Sequence, residues 1–205
     1  HALLQARDLI KEEKFVVIYG DDIYHHNDIK KVLENDLCVT AKEVTSPERF
    51  GIFTVENSIV KNLIEKPQEY ASNLANTGLY VFNKDIFNFL MKAGKSQRNE
   101  IELTDAIKLM IKEYSVKCEI TNNWVPIGYP WDLLTANEIK MKEIEASSID
   151  EASIDKNATM ENFVKIGKNT RIKNGAYIEG PVIIGDNCVI GPNCYIRHNS
   201  VVGNE

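Results

Sequence analysis

Ile166-Gly-Lys-Asn-Thr-Arg171, Ile184-Gly-Asp-Asn-Cys-Val189 and Ile190-Gly-Pro-Asn-Cys-Tyr195 are three copies of one six-residue phrase. The period extends from residue 154 to the end of the chain, carried in strict register by Ile154, Met160, Ile166, Ile172, Ile178, Ile184, Ile190, Ile196 and Val202. Four residues after these aliphatics stand small or modest side chains: Ala158, Val164, Thr170, Ala176, Val182, Cys188, Cys194 and Ser200. Gly follows the aliphatic at 167, 185, 191 and 203. Asn or Gly stands three after it at 157, 169, 175, 187, 193 and 199, and both tolerate positive φ, so each hexad can turn a corner. A helix repeats about every 3.6 residues and a strand every second one, so neither gives a strict six. The pattern predicts a parallel β-helix of short stacked faces, with large aliphatics inside and small residues near the corners. Phe163 and Pro181 interrupt the corner rule.

These hexads resemble the left-handed β-helix of hexapeptide-repeat proteins, and the handedness is what the resemblance implies. It also implies roughly three hexads per coil, so residues 154–205 make fewer than three coils and stop mid-repeat at Val202-Gly-Asn-Glu205. Cys188 and Cys194 are then interior packing residues. Ahead of the repeat, residues 146–153 read as a linker, and residues 1–145 alternate helices with short apolar strands. Helices are predicted at 1–12, 27–34, 84–92, 102–113 and 131–145, and strands at 14–19, 37–44, 51–55, 59–65, 79–82 and 116–121. Strands alternating with helices predict an α/β domain with a mostly parallel sheet.

Composition narrows the function. Lys and Arg number 24 against 30 Asp and Glu, a net charge of −6, which offers no basic field for nucleic acid or an anionic membrane. No apolar run approaches the roughly 20 residues of a membrane span, and the first residues lack the layout of a signal peptide. A cytoplasmic protein is expected. Cys38, Cys118, Cys188 and Cys194 form neither a C-x-x-C pair nor a zinc-like cluster, so reduced thiols are expected and no structural metal. The chain opens on His1 with residues that read as the middle of a helix, so a fragment truncated at both ends is expected.

Gly20-Asp21 directly after a buried strand places a carboxylate at a sheet edge, where open α/β sheets bind ligands, although Asp after Gly is also ordinary turn chemistry. Its company decides between the two. Phe50-Gly51, Glu65-Lys66-Pro67, Asn76-Thr-Gly-Leu-Tyr80, Glu100-Ile-Glu-Leu-Thr-Asp105, Trp124-Val-Pro-Ile-Gly128 and Pro130-Trp-Asp-Leu133 follow it in order. Together they resemble the nucleotidyltransferases that join a sugar 1-phosphate to a nucleoside triphosphate such as dTTP or UTP. The repeat in turn resembles the C-terminal half of their bifunctional archaeal members. The fold implied is a partial Rossmann-like α/β nucleotidyltransferase domain followed by a partial left-handed β-helix.

Residue by residue, the resemblance implies that Asp21 binds a catalytic Mg²⁺ between the nucleotide and sugar phosphates. Lys66 would contact the sugar phosphate and neutralise an anion approaching a triphosphate. Glu65, Asn76 and the backbone of Gly51 would bind sugar hydroxyls, with Thr77 either assisting or serving as a strand hydroxyl. Arg197 matches an Arg that contacts an amino-sugar phosphate in bifunctional relatives, whose acetyl-CoA site would need later coils. Glu102 and Asp105 read as helix-start residues, and His25 and His26 as loop residues.

Two departures qualify the match. The family's opening Gly-rich loop, which cradles the triphosphate, has no counterpart in this sequence, so the fragment alone is not expected to catalyse. The family's second metal-binding Asp is replaced by Pro126, which offers no ligand side chain; Asn123 or water is the candidate substitute. Pro126 motivates a different reading, a non-catalytic sugar-phosphate-binding subunit, beside that of an enzyme that also acetylates an amino sugar. The flat β-helix faces lead to the expectation of a homo-oligomer, a trimer in the families resembled.

Overall fold

A computed structural model describes residues 1–96 and 99–205. The chain divides into two compact units, His1–Pro126 and Ile127–Glu205.

The first unit runs α1 (Ala2–Gln5), β1 (Lys14–Ile18), α2 (His26–Leu33), β2 (Cys38–Glu43), β3 (Gly51–Glu56), β4 (Ile59–Glu65), β5 (Leu74–Asn83), α3 (Asp85–Ala93), α4 (Leu103–Glu113) and β6 (Lys117–Ile120). Its sheet has the order β1-β5-β2-β6-β4-β3. The expected parallel sheet is not what forms: β2 and β6 pair in parallel, while β1–β5, β2–β5, β3–β4, β3–β5 and β4–β6 are antiparallel. The reason lies in the connections. No α-helix separates β2 from β5, and short links return the chain on itself, whereas a parallel pair needs a long crossover. Between β3 and β4, Asn57 and Ser58 both take positive φ, the conformation a tight hairpin demands.

Alternation along β5 sorts two cores. Tyr80 and Phe82 join Phe53, Ile86, Leu90, Ile107 and Met110 beneath α3 and α4, while Leu79 and Val81 face Val32 and Cys38 beneath α2. The helix expected over 1–12 ends early: Lys84 Nζ donates to Lys11 O at 2.9 Å and holds the chain in an irregular path. Burial pushes the Cys38 and Cys118 thiols up to about 12, which makes both inert.

The second unit contains α5 (Asp132–Met141) and ten short strands: β7 (Ser148–Ile149), β8 (Ser153–Ile154), β9 (Thr159–Glu161), β10 (Val164–Ile166), β11 (Arg171–Ile172), β12 (Tyr177–Glu179), β13 (Val182–Ile184), β14 (Val189–Ile190), β15 (Tyr195–Ile196) and β16 (Ser200–Val202). They stack in parallel as three sheets, β16-β13-β10-β7, β14-β11-β8 and β15-β12-β9. Ile166 pairs with Ile184 and Ile172 with Ile190, so hexads eighteen residues apart stack and three hexads make a coil. The stretch 146–153, read as a linker, supplies β7, whose Ser148 and Ile149 pair with Lys165 and Ile166. It was illegible because it has left the Ile-Gly phrase while keeping the backbone path. Asn169, Gly175, Asn187, Asn193 and Asn199 take the positive φ expected at corners, and Asn162 does so where Phe163 breaks the phrase.

Inside the prism, Thr170 is fully buried; its hydroxyl donates to Gly185 O at 2.7 Å and accepts from the Cys188 N–H at 3.0 Å. It stitches one coil to the next. Thr170→Val keeps the shape and leaves both backbone groups unpaired, an expected cost of about 1–3 kcal/mol in urea denaturation, whereas Thr170→Ser is expected to cost about 1 kcal/mol or less. Equal stability of the Val variant and the natural chain would show the stitch to be immaterial.

Candidate active site

The site is built around a bulge. Val39 pairs with Tyr80 and Ala41 with Asn76, so the single residue Thr40 on β2 faces Thr77, Gly78 and Leu79 on β5. Gly78 accommodates this at φ +77, and a Cβ there would lie 2.3 Å from the Tyr19 ring. Backbone groups freed by the bulge are taken up by side chains. Thr40 Oγ1 donates to Leu79 O at 3.0 Å, Thr77 Oγ1 to Thr40 O at 3.1 Å, Tyr24 Oη to Thr77 O at 2.6 Å, and Asn76 Oδ1 accepts from the Gly78 N–H at 3.2 Å. Bulges beside a functional site re-aim side chains.

Of the two readings of Thr77, the strand hydroxyl is the one its surroundings favour: it is fully buried, and its hydroxyl is bonded to Thr40. Asn76, half-buried, is held at both ends: Nδ2 donates to Tyr80 Oη at 2.8 Å, and Tyr80 Oη donates on to Tyr19 Oη at 3.2 Å. Gly51 opens β3 and pairs with Glu65, the last residue of β4. A Cβ on Gly51 would lie 2.9 Å from Glu65 Oε2 and 3.8 Å from the Asn76 Cβ, so these three converge. Lys66 follows at φ +45, its N–H bonded to Phe50 O at 2.9 Å, and the buried Pro67 further restricts it. Its side chain is exposed.

Asp21 lies in the turn after β1, exposed. Burial raises the Tyr19 hydroxyl above its ordinary pKa, the hydrogen bond it accepts from Tyr80 opposes the rise, and the negative charges of Glu65, Asp22 and Asp21 add to it. Tyr19 stays protonated. The turn is tied to residues 121–126: Trp124 Nε1 donates to Asp22 Oδ2 at 2.8 Å, and Ile23 and Val125 exchange backbone hydrogen bonds at 3.0 Å. Pro126 comes next in that strip, adjoining the bridge to the Asp21 loop. The amide of Asn123 is directed to Asp28 on α2, with Nδ2 to Oδ2 at 3.2 Å.

The donors here are hard oxygens, and among the described residues no three His, Cys, Asp or Glu side chains converge. Such a site suits an oxygen-seeking cation that completes its shell from water and substrate. Glu102 sits at the start of α4 and Asp105 bridges Lys108 at 2.9 Å, both structural as expected. His25 caps α2, its Nδ1 accepting from the Asn27 N–H at 3.3 Å. Arg197 belongs to the second unit, exposed after β15, where it and His198 help hold the Glu179 carboxyl below its ordinary pKa, the larger cause being the Tyr195 hydroxyl bonded to it. Sequence reasoning gave no role to Tyr19 and Tyr24, nor to Tyr80 and Trp124 beyond their places in two motifs. All are aromatics, and their polar ends acquire meaning only through partners distant in the chain.

The family model described as nucleotidyl transferase matches residues 1–143. The chain belongs to the nucleotidyl transferase family. A second model, bacterial transferase hexapeptide, matches residues 181–205. The chain is 43% identical over 146 residues to the bifunctional protein GlmU of Methanocaldococcus jannaschii, covering 70% of this chain and 35% of that protein. It is 35% identical over 177 residues to the bifunctional sugar-1-phosphate nucleotidylyltransferase/acetyltransferase of Sulfurisphaera tokodaii, covering 81% of this chain and 42% of that one. It thus spans about two fifths or less of these relatives. Among solved structures, a UDP-glucose pyrophosphorylase complexed with UDP-glucose superposes with TM-score 0.51 at 28% identity, covering 60% of this chain and 54% of that one. The nucleotidyl transferase match runs past the first compact unit into α5.

Gly51→Ala tests the convergence with little cost to the fold, because the one tight approach of the new methyl is to the tip of the Glu65 side chain at 2.9 Å, the Leu63 and Asn76 contacts at 3.5 and 3.8 Å being ordinary. In the full-length protein we expect KM for sugar phosphate to rise roughly tenfold while the melting temperature moves by no more than a surface substitution would. An unchanged KM would separate Glu65 and Gly51 from substrate.

Proposed function

We propose that the protein transfers a nucleotidyl group from a nucleoside triphosphate, dTTP or UTP, to a sugar 1-phosphate, releasing pyrophosphate. The observation that carries this reading is the convergence of Glu65, Gly51 and Asn76 next to Lys66, with Asp21 and Glu65 both acting on Tyr19. Glu65 and Asn76 orient sugar hydroxyls, the carboxylate accepting and the amide doing both. Lys66 meets the sugar phosphate, whose oxygen attacks the α-phosphorus as the bond to pyrophosphate breaks. Asp21 would hold Mg²⁺, which when bound would supply charge neutralisation of the phosphates. No general base is required, since this class of transfer depends on positioning and charge neutralisation.

Catalysis is favoured over the non-catalytic alternative by the family match and by the intact convergence of the sugar-binding residues. Acetylation belongs to the bifunctional relatives by name. We give Arg197 no part in nucleotidyl transfer; contact with an amino-sugar phosphate is the role left to it. A cytoplasmic setting suits the four free cysteines. No helix among the described residues is long and apolar enough to cross a membrane.

Assay of the full-length protein against a panel of triphosphates and sugar 1-phosphates, scored by pyrophosphate release, tests the reading directly. Lys66→Ala is expected to lower kcat/KM for sugar phosphate by about a hundredfold or more, because a charge-assisted contact at the reacting anion is lost, with the melting temperature nearly constant. Normal kinetics in that variant would return Lys66 to the solvated surface. The β-helix is expected to bring copies together as a trimer; light scattering of the full-length protein reads this, and a clean monomer refutes it.

A further inference from the structure

We propose that Trp124 is a positioning residue: its indole N–H holds the turn that carries Asp21, while its ring braces the edge that carries Gly51. The proposal rests on the nucleotidyltransferase reading above. Trp124 is 3% exposed and packs with Ile52, Ala75, Tyr24 and Phe50, its ring 5.6 Å from that of Phe50 in an edge-on contact. A buried indole N–H needs an acceptor, and this one finds Asp22 Oδ2 at 2.8 Å across 102 residues of sequence. The acceptor is charged, which makes the contact stronger than a neutral one.

Trp124 is itself anchored. Lys42 Nζ on β2 donates to its carbonyl at 2.9 Å, and Val125 exchanges two backbone bonds with Ile23. Upstream, Thr121 Oγ1 and Asn123 Nδ2 both donate to Asp28 Oδ2, at 2.7 and 3.2 Å. Residues 121–125 are thus fastened to β2 and α2, and the Gly20–Ile23 turn is fastened to them. The exposed Asp21 side chain has a fixed origin although nothing packs over it. One residue therefore sets the spacing between the metal-bearing turn and the sugar-binding edge, and such spacing is what a positioning mechanism depends on.

Three substitutions in the full-length protein separate tether from core packing. Trp124→Phe keeps a ring for Phe50 and removes the N–H; Asp22→Val removes the acceptor; Asp22→Asn keeps an oxygen that can accept. We expect Trp124→Phe and Asp22→Val each to raise the Mg²⁺ concentration for half-maximal rate roughly tenfold. KM for sugar phosphate at saturating Mg²⁺ should change by no more than about twofold. Combining them should raise the requirement by less than the product of the two single effects, since both cut the Trp124–Asp22 contact. Asp22→Asn should retain the natural Mg²⁺ requirement. Amide hydrogen exchange at Ile23, read on the 205-residue chain without substrates, should quicken in Trp124→Phe and Asp22→Val but not in Asp22→Asn. An unaltered Mg²⁺ requirement in Trp124→Phe, additive singles, or a raised requirement in Asp22→Asn with normal Ile23 exchange would each overturn the proposal. Should the unsubstituted protein form no nucleotide sugar from any substrate pair, the functional reading fails, and exchange at Ile23 alone decides the tether.

Discussion

A strand with two residues too many for its neighbour is the constraint on which the first unit turns. Opposite Thr40, β5 must accommodate Thr77, Gly78 and Leu79, and the surplus backbone has to find partners away from water. Two threonine hydroxyls, a tyrosine hydroxyl and an asparagine amide supply them. The same bulge determines where β1 can stop: its last residue, Ile18, pairs with Leu79, and Tyr19 then lays its ring over Gly78. Asp21 emerges two residues later. Without the bulge, β1 would continue along β5 and the carboxylate would sit elsewhere.

The negative charges of Asp21, Asp22 and Glu65 all act on Tyr19, and on the proposed reading that field repels a triphosphate until a cation intervenes. Burial and those carboxylates raise the Tyr19 hydroxyl against the opposing bond from Tyr80, which Tyr19 accepts. Tyr24 is raised for the same reasons, burial first and Asp22 next. The Tyr24 and Tyr80 hydroxyls serve as donors, to Thr77 O and to Tyr19 Oη.

The repeat was legible because its information is local: an aliphatic every sixth residue and an Asn at the corner state the coil outright, and Ile166, Ile172, Ile178 and Ile184 are buried where that rule puts them. Gly51, Glu65, Lys66 and Asn76 were singled out through resemblance, and what the structure adds is that the hairpin register brings the first two opposite each other. The parallel sheet was misread because alternation of strands and helices says nothing about which strands meet. Pairing β2 with β6 spans most of the domain, whereas β3 and β4 pair through a short turn. Thr77 was ambiguous for a similar reason. Its partner Thr40 lies 37 residues upstream, and only a bulge brings the two hydroxyls together.

Period-two alternation explains why one of two adjacent polar residues serves the fold and the other the site. Asn76 and Thr77 point to opposite faces of β5; Thr77 faces Thr40, the single β2 residue opposite the bulge, and is sealed, while Asn76 stays half-exposed beside Gly51. A slip of one residue in β5 would bury the amide without partners and expose the hydroxyl. The bulge forbids that slip, because Gly78 alone among its neighbours tolerates φ +77 with the Tyr19 ring against it. On the reading proposed above, Asn76, which would meet sugar hydroxyls, is held rigid by Tyr80 and by the Gly78 N–H. Asp21 and Lys66, which that reading assigns to phosphate, remain exposed beyond the ends of β1 and β4. That division has a physical basis: a hydroxyl is chosen by direction, which rigidity supplies, whereas a phosphate is held by charge. A charge is cheapest to maintain while still in water, and it needs only a fixed point of attachment to arrive in the right place.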